Sequence, residues 1–96
     1  MKAELLFKDR VVQTERSFAE LIVWKVPQPL LGSMHPFKYR LAFVVNGQCV
    51  LRYDNEAGKG DHRHIGDVEN AYVFTTAAQL LADFWQDVDQ WRQTHE

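Results

Sequence analysis

The chain has 96 residues, 46% hydrophobic and 25% charged, which are ordinary values for a globular protein with one modest core. No apolar run approaches the roughly 18 residues needed to span a bilayer, residues 1–5 lack the apolar stretch of a signal peptide, and the single cysteine, Cys49, offers neither a disulfide framework nor a cysteine zinc site. These features lead to the expectation of a cytoplasmic protein with no membrane partner. The net charge of −2 is uneven: residues 38–65 hold five basic against three acidic side chains, and residues 66–96 hold one against six. Such a split is either solvated surface of both signs or a basic middle facing an anion and an acidic tail facing something else.

In chain order, residues 2–8 alternate Ala3, Leu5 and Phe7 with Glu4, Leu6 and Lys8, a strand pattern. Asp9-Arg10 is a candidate turn into Val11-Val12-Gln13. Residues 18–26 are apolar on both parities, as in a strand covered on both sides or central in a sheet. Pro27, Pro29 and Gly32 then make residues 27–36 a connection.

Residues 37–45 and 48–54 form the clearest hairpin, with Asn46-Gly47 at its turn. A three-residue loop, Val45-Asn46-Gly47, would pair Tyr39 with Tyr53, Leu41 with Leu51 and Phe43 with Cys49. It segregates an apolar face from one bearing Lys38, Arg40, Arg52 and Asp54, whereas a plain two-residue loop mixes the two. On this register Cys49 is a small core residue. Near the C-terminus, Thr76 and Gln79 have capping-box spacing. Ala77, Leu81, Phe84, Val88 and Trp91 then recur at helical steps, with Leu80 and Trp85 widening the stripe and Asp83, Gln86, Asp87 and Gln90 on the remaining face. The expected architecture is α+β, in one domain over residues 1–96. It has a single twisted antiparallel sheet of about five or six strands, all within residues 2–74, covered on one face by a helix over about residues 76–93.

The densest run of functional groups is residues 53–64, Tyr53-Asp54-Asn55-Glu56-Ala57-Gly58-Lys59-Gly60-Asp61-His62-Arg63-His64. Gly58 and Gly60 around Lys59 suit either a simple glycine turn or one that exposes backbone N–H groups to an anion. In an extended segment His62 and His64 share a face and Arg63 points the other way. Two imidazoles on one face serve as general acid and base. They equally suit two metal ligands, with Asp54, Glu56, Asp61 or His35 as a third, or a pair of hydrogen-bonded exposed histidines. Arg40, Arg52 and Lys59 are placed to hold phosphate, unless the arginines are spent on Asp54 and Glu56. Phosphodiester cleavage requires positioning, a base, an acid and cations, all present among these residues without a metal or cofactor.

The order His35-x-Phe37-Lys38-Tyr39-Arg40-Leu41, then residues 53–64, then Tyr72-x-Phe74 and Leu80-Leu81-x-Asp83-Phe84 resembles the TumE-like toxin family, as does the opening Lys2-Ala3-Glu4-Leu5-Leu6. The resemblance runs over nearly the whole chain. Its specific part is Gly58-Lys59-Gly60-Asp61-His62-Arg63-His64; residues 12–18 and 26–34 carry no clear family signature. It implies the toxin of a prokaryotic type II toxin–antitoxin system, held inactive by a TumA-like helix-turn-helix antitoxin. Two functional readings follow. One is a metal-independent endoribonuclease acting on RNA, with His62 and His64 as acid and base, Tyr53, Asp54 and Glu56 orienting or sharing proton transfer, and Lys38, Arg40, Arg52, Lys59 and Arg63 binding substrate. The other is a non-catalytic module that binds RNA, the ribosome or a protein and inhibits by occupancy. The acidic helix face is a candidate for partner or homodimer contacts.

Overall fold

The structure, a computed structural model, describes residues 2–96. Six strands form one antiparallel sheet in sequence order: β1 (Glu4–Thr14), β2 (Ser17–Lys25), β3 (Phe37–Val45), β4 (Gln48–Glu56), β5 (Gly60–Ile65) and β6 (Val68–Ala71). A helix, α1 (Ala77–His95), follows. Each strand pairs with the next through a short turn, except that residues 26–36 connect β2 to β3. The prolines exclude that stretch from the ladder.

The expected turn at Asp9-Arg10 is absent. Asp9 pairs with Leu21 and Arg10 with Glu20 inside a continuous β1, and the chain reverses at Glu15-Arg16. Neither Asp9 nor Arg10 requires a left-handed backbone, and the two alternate faces like any strand pair. The turn is instead braced by Thr14 Oγ1, which accepts the Arg16 N–H at 3.1 Å.

The hairpin of β3 and β4 keeps the expected faces through a different register. Its loop has two residues, Asn46 and Gly47, at φ 51° and 78°, and Val45 pairs with Gln48. A register shift between Phe43 and Val44 then leaves Val50 as the extra residue of a bulge. Leu41 therefore opposes Tyr53 and Phe43 opposes Leu51, in place of the expected Leu41–Leu51 and Phe43–Cys49 pairs. The bulge restores the segregation that a two-residue loop alone would destroy. Cys49 lies on the solvent side of this bulge and is exposed, so its expected core role is corrected.

The covered face of the sheet carries Ala19, Leu21, Val23, Tyr39, Leu41, Phe43, Leu51 and Tyr53, all buried. Leu80, Phe84 and Val88 of α1 close over them. Fully burying each of these large side chains contributes about 1.5–3 kcal/mol before entropy. Thr76 caps the helix as expected, its hydroxyl accepting the Gln79 N–H at 3.0 Å. Asp83 and Asp87 are not on an outward face. They flank the buried stripe and bond to tyrosines, described below. The opposite face of the sheet has no helix against it. β2 shows the consequence: Ala19, Leu21 and Val23 are buried, while Phe18, Ile22 and Trp24 on the bare side are only partly covered.

Candidate functional site on the bare face of the sheet

Cross-strand partners share a face, so register places the charged side chains. Arg40 opposes Asp54, which opposes His62; Arg52 opposes His64, which opposes Glu69. Both histidines therefore stand on the bare face, as parity predicts. Arg52, Asp54, Glu56, Lys59, His62, His64 and Glu69 line a cleft of about 20 Å³. That is room for one water or one phosphoryl oxygen, so a larger ligand has to lie across the cleft.

Hydrogen bonds place both imidazoles in the Nδ1–H tautomer but engage their Nε2 atoms differently. The Nδ1–H of His62 donates to Gly60 O at 3.1 Å, which leaves its Nε2 lone pair free toward the cleft. Arg52 Nη2 donates to His64 Nε2 at 3.1 Å, so the His64 lone pair is engaged. Glu69 Oε1 lies 3.8 Å from the Nε2 of each histidine. This is beyond hydrogen-bond range. Arg52 Nε is 3.1 Å from Asp54 Oδ2, but its N–H is not aimed at any acceptor among the described residues. We read this as a charge contact, and the shielded donor as the kind of imperfection that functional sites tolerate.

Lys38 and Arg40 lie on the same bare face, on β3. Tyr53 and Arg63 do not join the cleft: both occupy the covered face. The Tyr53 hydroxyl donates to Asp87, and Arg63 Nη1 lies 3.5 Å from the same carboxylate. The Tyr72 hydroxyl donates to Asp83 at 2.5 Å. Burial, and then the hydrogen bond to a carboxylate, push the Tyr53 and Tyr72 phenols well above their usual range. The contact with Tyr53, joined by the charges of Asp87 and Asp83, raises Arg63.

A second cluster is centred on the covered side of β5, one residue from His62. Asp61 is a hub: Ser33 Oγ donates to its Oδ1 at 2.7 Å, and the Tyr39 hydroxyl donates to its Oδ2 at 2.7 Å. His35 Nδ1 accepts the Phe37 N–H at 3.3 Å, so Nε2 carries the proton that it donates to Asp61 Oδ2 at 2.6 Å. Asn55, 1% exposed, ties Ser33 Oγ, Phe37 O and the Tyr39 N–H together. The His35 ring stacks on Phe74 with centroids 3.7 Å apart. Both ring nitrogens of His35 are occupied, so this cluster docks the 26–36 connection onto β5 and offers no free base. The Tyr39 phenol is also pushed far up, by burial first and the bond to Asp61 second.

The glycine turn serves the same docking. The N–H groups of Gly58 and Lys59 donate to Leu31 O at 2.6 Å and Glu56 O at 3.1 Å, so the turn does not present them to an anion. A Cβ on Gly60 would stand 2.7 Å from Gly32 O, at φ +78°. Gly60→Ala is accordingly expected to cost about 3 kcal/mol or more, since the left-handed conformation and a backbone collision add. Gly58→Ala, with nothing within 4 Å of its Cβ, should cost only about 1–2 kcal/mol. Urea melts of the two variants check the difference.

Glu69 was not singled out from sequence. Its signal is the two-residue Gly66-Asp67 turn, which sets Ile65 against Val68 and hence His64 against Glu69.

The fold is an open α+β sheet with one face packed under a helix and the other bearing a histidine–carboxylate–arginine cleft. A family model described as toxin TumE matches residues 2–92, and the chain belongs to that family. It is the toxin of a toxin–antitoxin system, and an antitoxin is its partner. No curated protein and no solved structure matches the chain. No helix among the described residues is long and apolar enough to cross a membrane.

Proposed function

We propose that the toxin is a metal-independent endoribonuclease, with His62 as the base and His64 as the acid. The observation that carries this reading is the difference between the two Nε2 atoms: that of His64 accepts from Arg52, while that of His62 is free and faces a cleft it shares with His64, Glu69 and two cations. His62 Nε2 takes the proton of a ribose 2′-hydroxyl, and the 2′ oxygen attacks the adjacent phosphorus. The bond to the 5′ oxygen breaks, and that oxygen leaves with a proton from protonated His64. The products are a 2′,3′-cyclic phosphate and a 5′-hydroxyl. Arg52 and Lys59 face the charge that builds on the phosphoryl oxygens, and Glu69 stabilises whichever imidazole is cationic. Asp54 holds Arg52 in place, and Glu56 lines the same cleft as Lys59. In the free protein Arg52 holds His64 Nε2, so substrate must draw the guanidinium onto phosphate before His64 can donate. The natural inhibitor on this reading is a helix-turn-helix antitoxin.

Purified protein with total RNA, in the presence of a chelator, tests the proposal. His62→Ala is expected to lower cleavage by about 10²–10⁴-fold, without a change in melting temperature, and to relieve growth arrest in a sensitive host. Wild-type cleavage and arrest by both His62→Ala and His64→Ala would sink the assignment. Intact RNA with salt-dependent binding would favour inhibition by occupancy, for which the internally paired Arg52 is an argument.

A further inference from the structure

We propose that the bare face over β1, β2 and β3 is a binding track for a single-stranded segment of RNA leading into the His62–His64 cleft. The proposal rests on the nuclease reading for its direction, but on different residues. Lys8, Ile22, Arg40, Asp54 and His62 stand in register across five strands. At about 4.8 Å per strand that line runs about 19 Å, enough for several nucleotides. A groove of about 690 Å³ opens along its first part, lined by Lys8, Asp9, Arg10, Glu20, Ile22 and Arg40.

Charge selects the occupant. On β1–β3 the bare face presents Lys8, Arg10, Lys38 and Arg40 against Glu20 alone, in a chain whose net charge is −2. The Arg10–Glu20 pair is 3.3 Å long and at least half exposed on both sides. Such a pair contributes little, and a phosphate can take Glu20's place. Between the cations lie flat or apolar surfaces. The Arg10 guanidinium sits 4.0 Å over the Phe18 ring, and Ile22 and Trp24 are only partly covered. Cations interleaved with aromatic faces on an open sheet suit unstacked bases on a single strand. A duplex hides its base faces and would meet the cations alone.

Fluorescence anisotropy with a fluorescein-labelled 2′-O-methyl oligonucleotide of about 12 nucleotides reads binding without cleavage, since its 2′ oxygen carries no proton. Wild-type toxin should bind the single strand at least about tenfold more tightly than the same strand in a duplex. Lys8→Glu with Lys38→Glu, both at exposed positions, should weaken binding about tenfold or more. Replacing both cations should also flatten the salt slope by about 1.4, the loss of two phosphate contacts on a single strand. Arg10→Ala alone should show a smaller loss in the same direction, and circular dichroism confirms that each variant is folded. Equal affinity in the variants, or equal affinity for the duplex, overturns the track and leaves this face to a protein partner. A ribose version of the same strand separates the two proposals. Binding that depends on Lys8 and Lys38 without cleavage keeps the track and removes the nuclease; cleavage indifferent to them does the reverse.

Discussion

Alanine in place of Asp61 is expected to unfold most of the protein at ambient temperature, although Asp61 lies next in sequence to the proposed base. Its carboxylate, 8% exposed, accepts from Ser33, His35 and Tyr39. Removing it strands three donors in a poorly hydrated site, at about 1–3 kcal/mol each. The sum rivals the whole stability of a small domain, about 5–15 kcal/mol. Asp61→Asn should be milder, near 1–2 kcal/mol. Its amide oxygen can still face His35 and Tyr39, while its NH₂ meets Ser33 Oγ, which can accept. A urea midpoint series over wild type, Asn and Ala checks the order. If Asp61→Ala melted like wild type and lost only activity, the hub would be catalytic and the structural account wrong.

The Asp61 hub is invisible in the sequence, whereas other parts of the fold are legible there. The helix was readable because Thr76 and a 3.6-residue stripe are local signals, and the packing of Leu80, Phe84 and Val88 follows from them. The faces of the β3–β4 hairpin were readable because burial enforces segregation, but its register was not. The Val50 bulge is the outcome of a favoured Asn46-Gly47 turn competing with the demand that Tyr53 face inward. No local pattern states which constraint yields. The same-face placement of His62 and His64 follows from strand parity alone. Their carboxylate partner Glu69 was hidden in β6, four exposed residues without alternation. Tyr53 and Arg63 were drawn into the candidate site by proximity in sequence, yet parity sends them to the helix side, where Asp87 waits more than twenty residues away. The Asp61 hub joins residues 22–28 positions apart through an irregular connection. Contacts of that range leave no periodic trace.

The bonds between tyrosines and carboxylates also set a pH limit. All three tyrosines of the chain, Tyr39, Tyr53 and Tyr72, are raised by burial first and by a bond to Asp61, Asp87 or Asp83 second. An unfolded tyrosine releases its proton near pH 10. Below that pH both states are protonated and the stabilisation is complete. Above it the unfolded chain loses three protons that the folded chain retains, so stability falls as pH rises. The limiting slope is about 1.4 kcal/mol per pH unit for each tyrosine, or about 4 for the three. Absorbance at 295 nm and helix ellipticity, followed together from pH 8 upward, should therefore change in one cooperative step above pH 10. Tyr53→Phe removes one of the three protons, so its slope should fall by a third even as the lost bond to Asp87 lowers stability at neutral pH. Gradual tyrosinate formation around pH 10 with unchanged ellipticity would show that the phenols are free to ionise in the folded protein. The pairing that anchors α1 and the connection to the sheet would then be absent in solution.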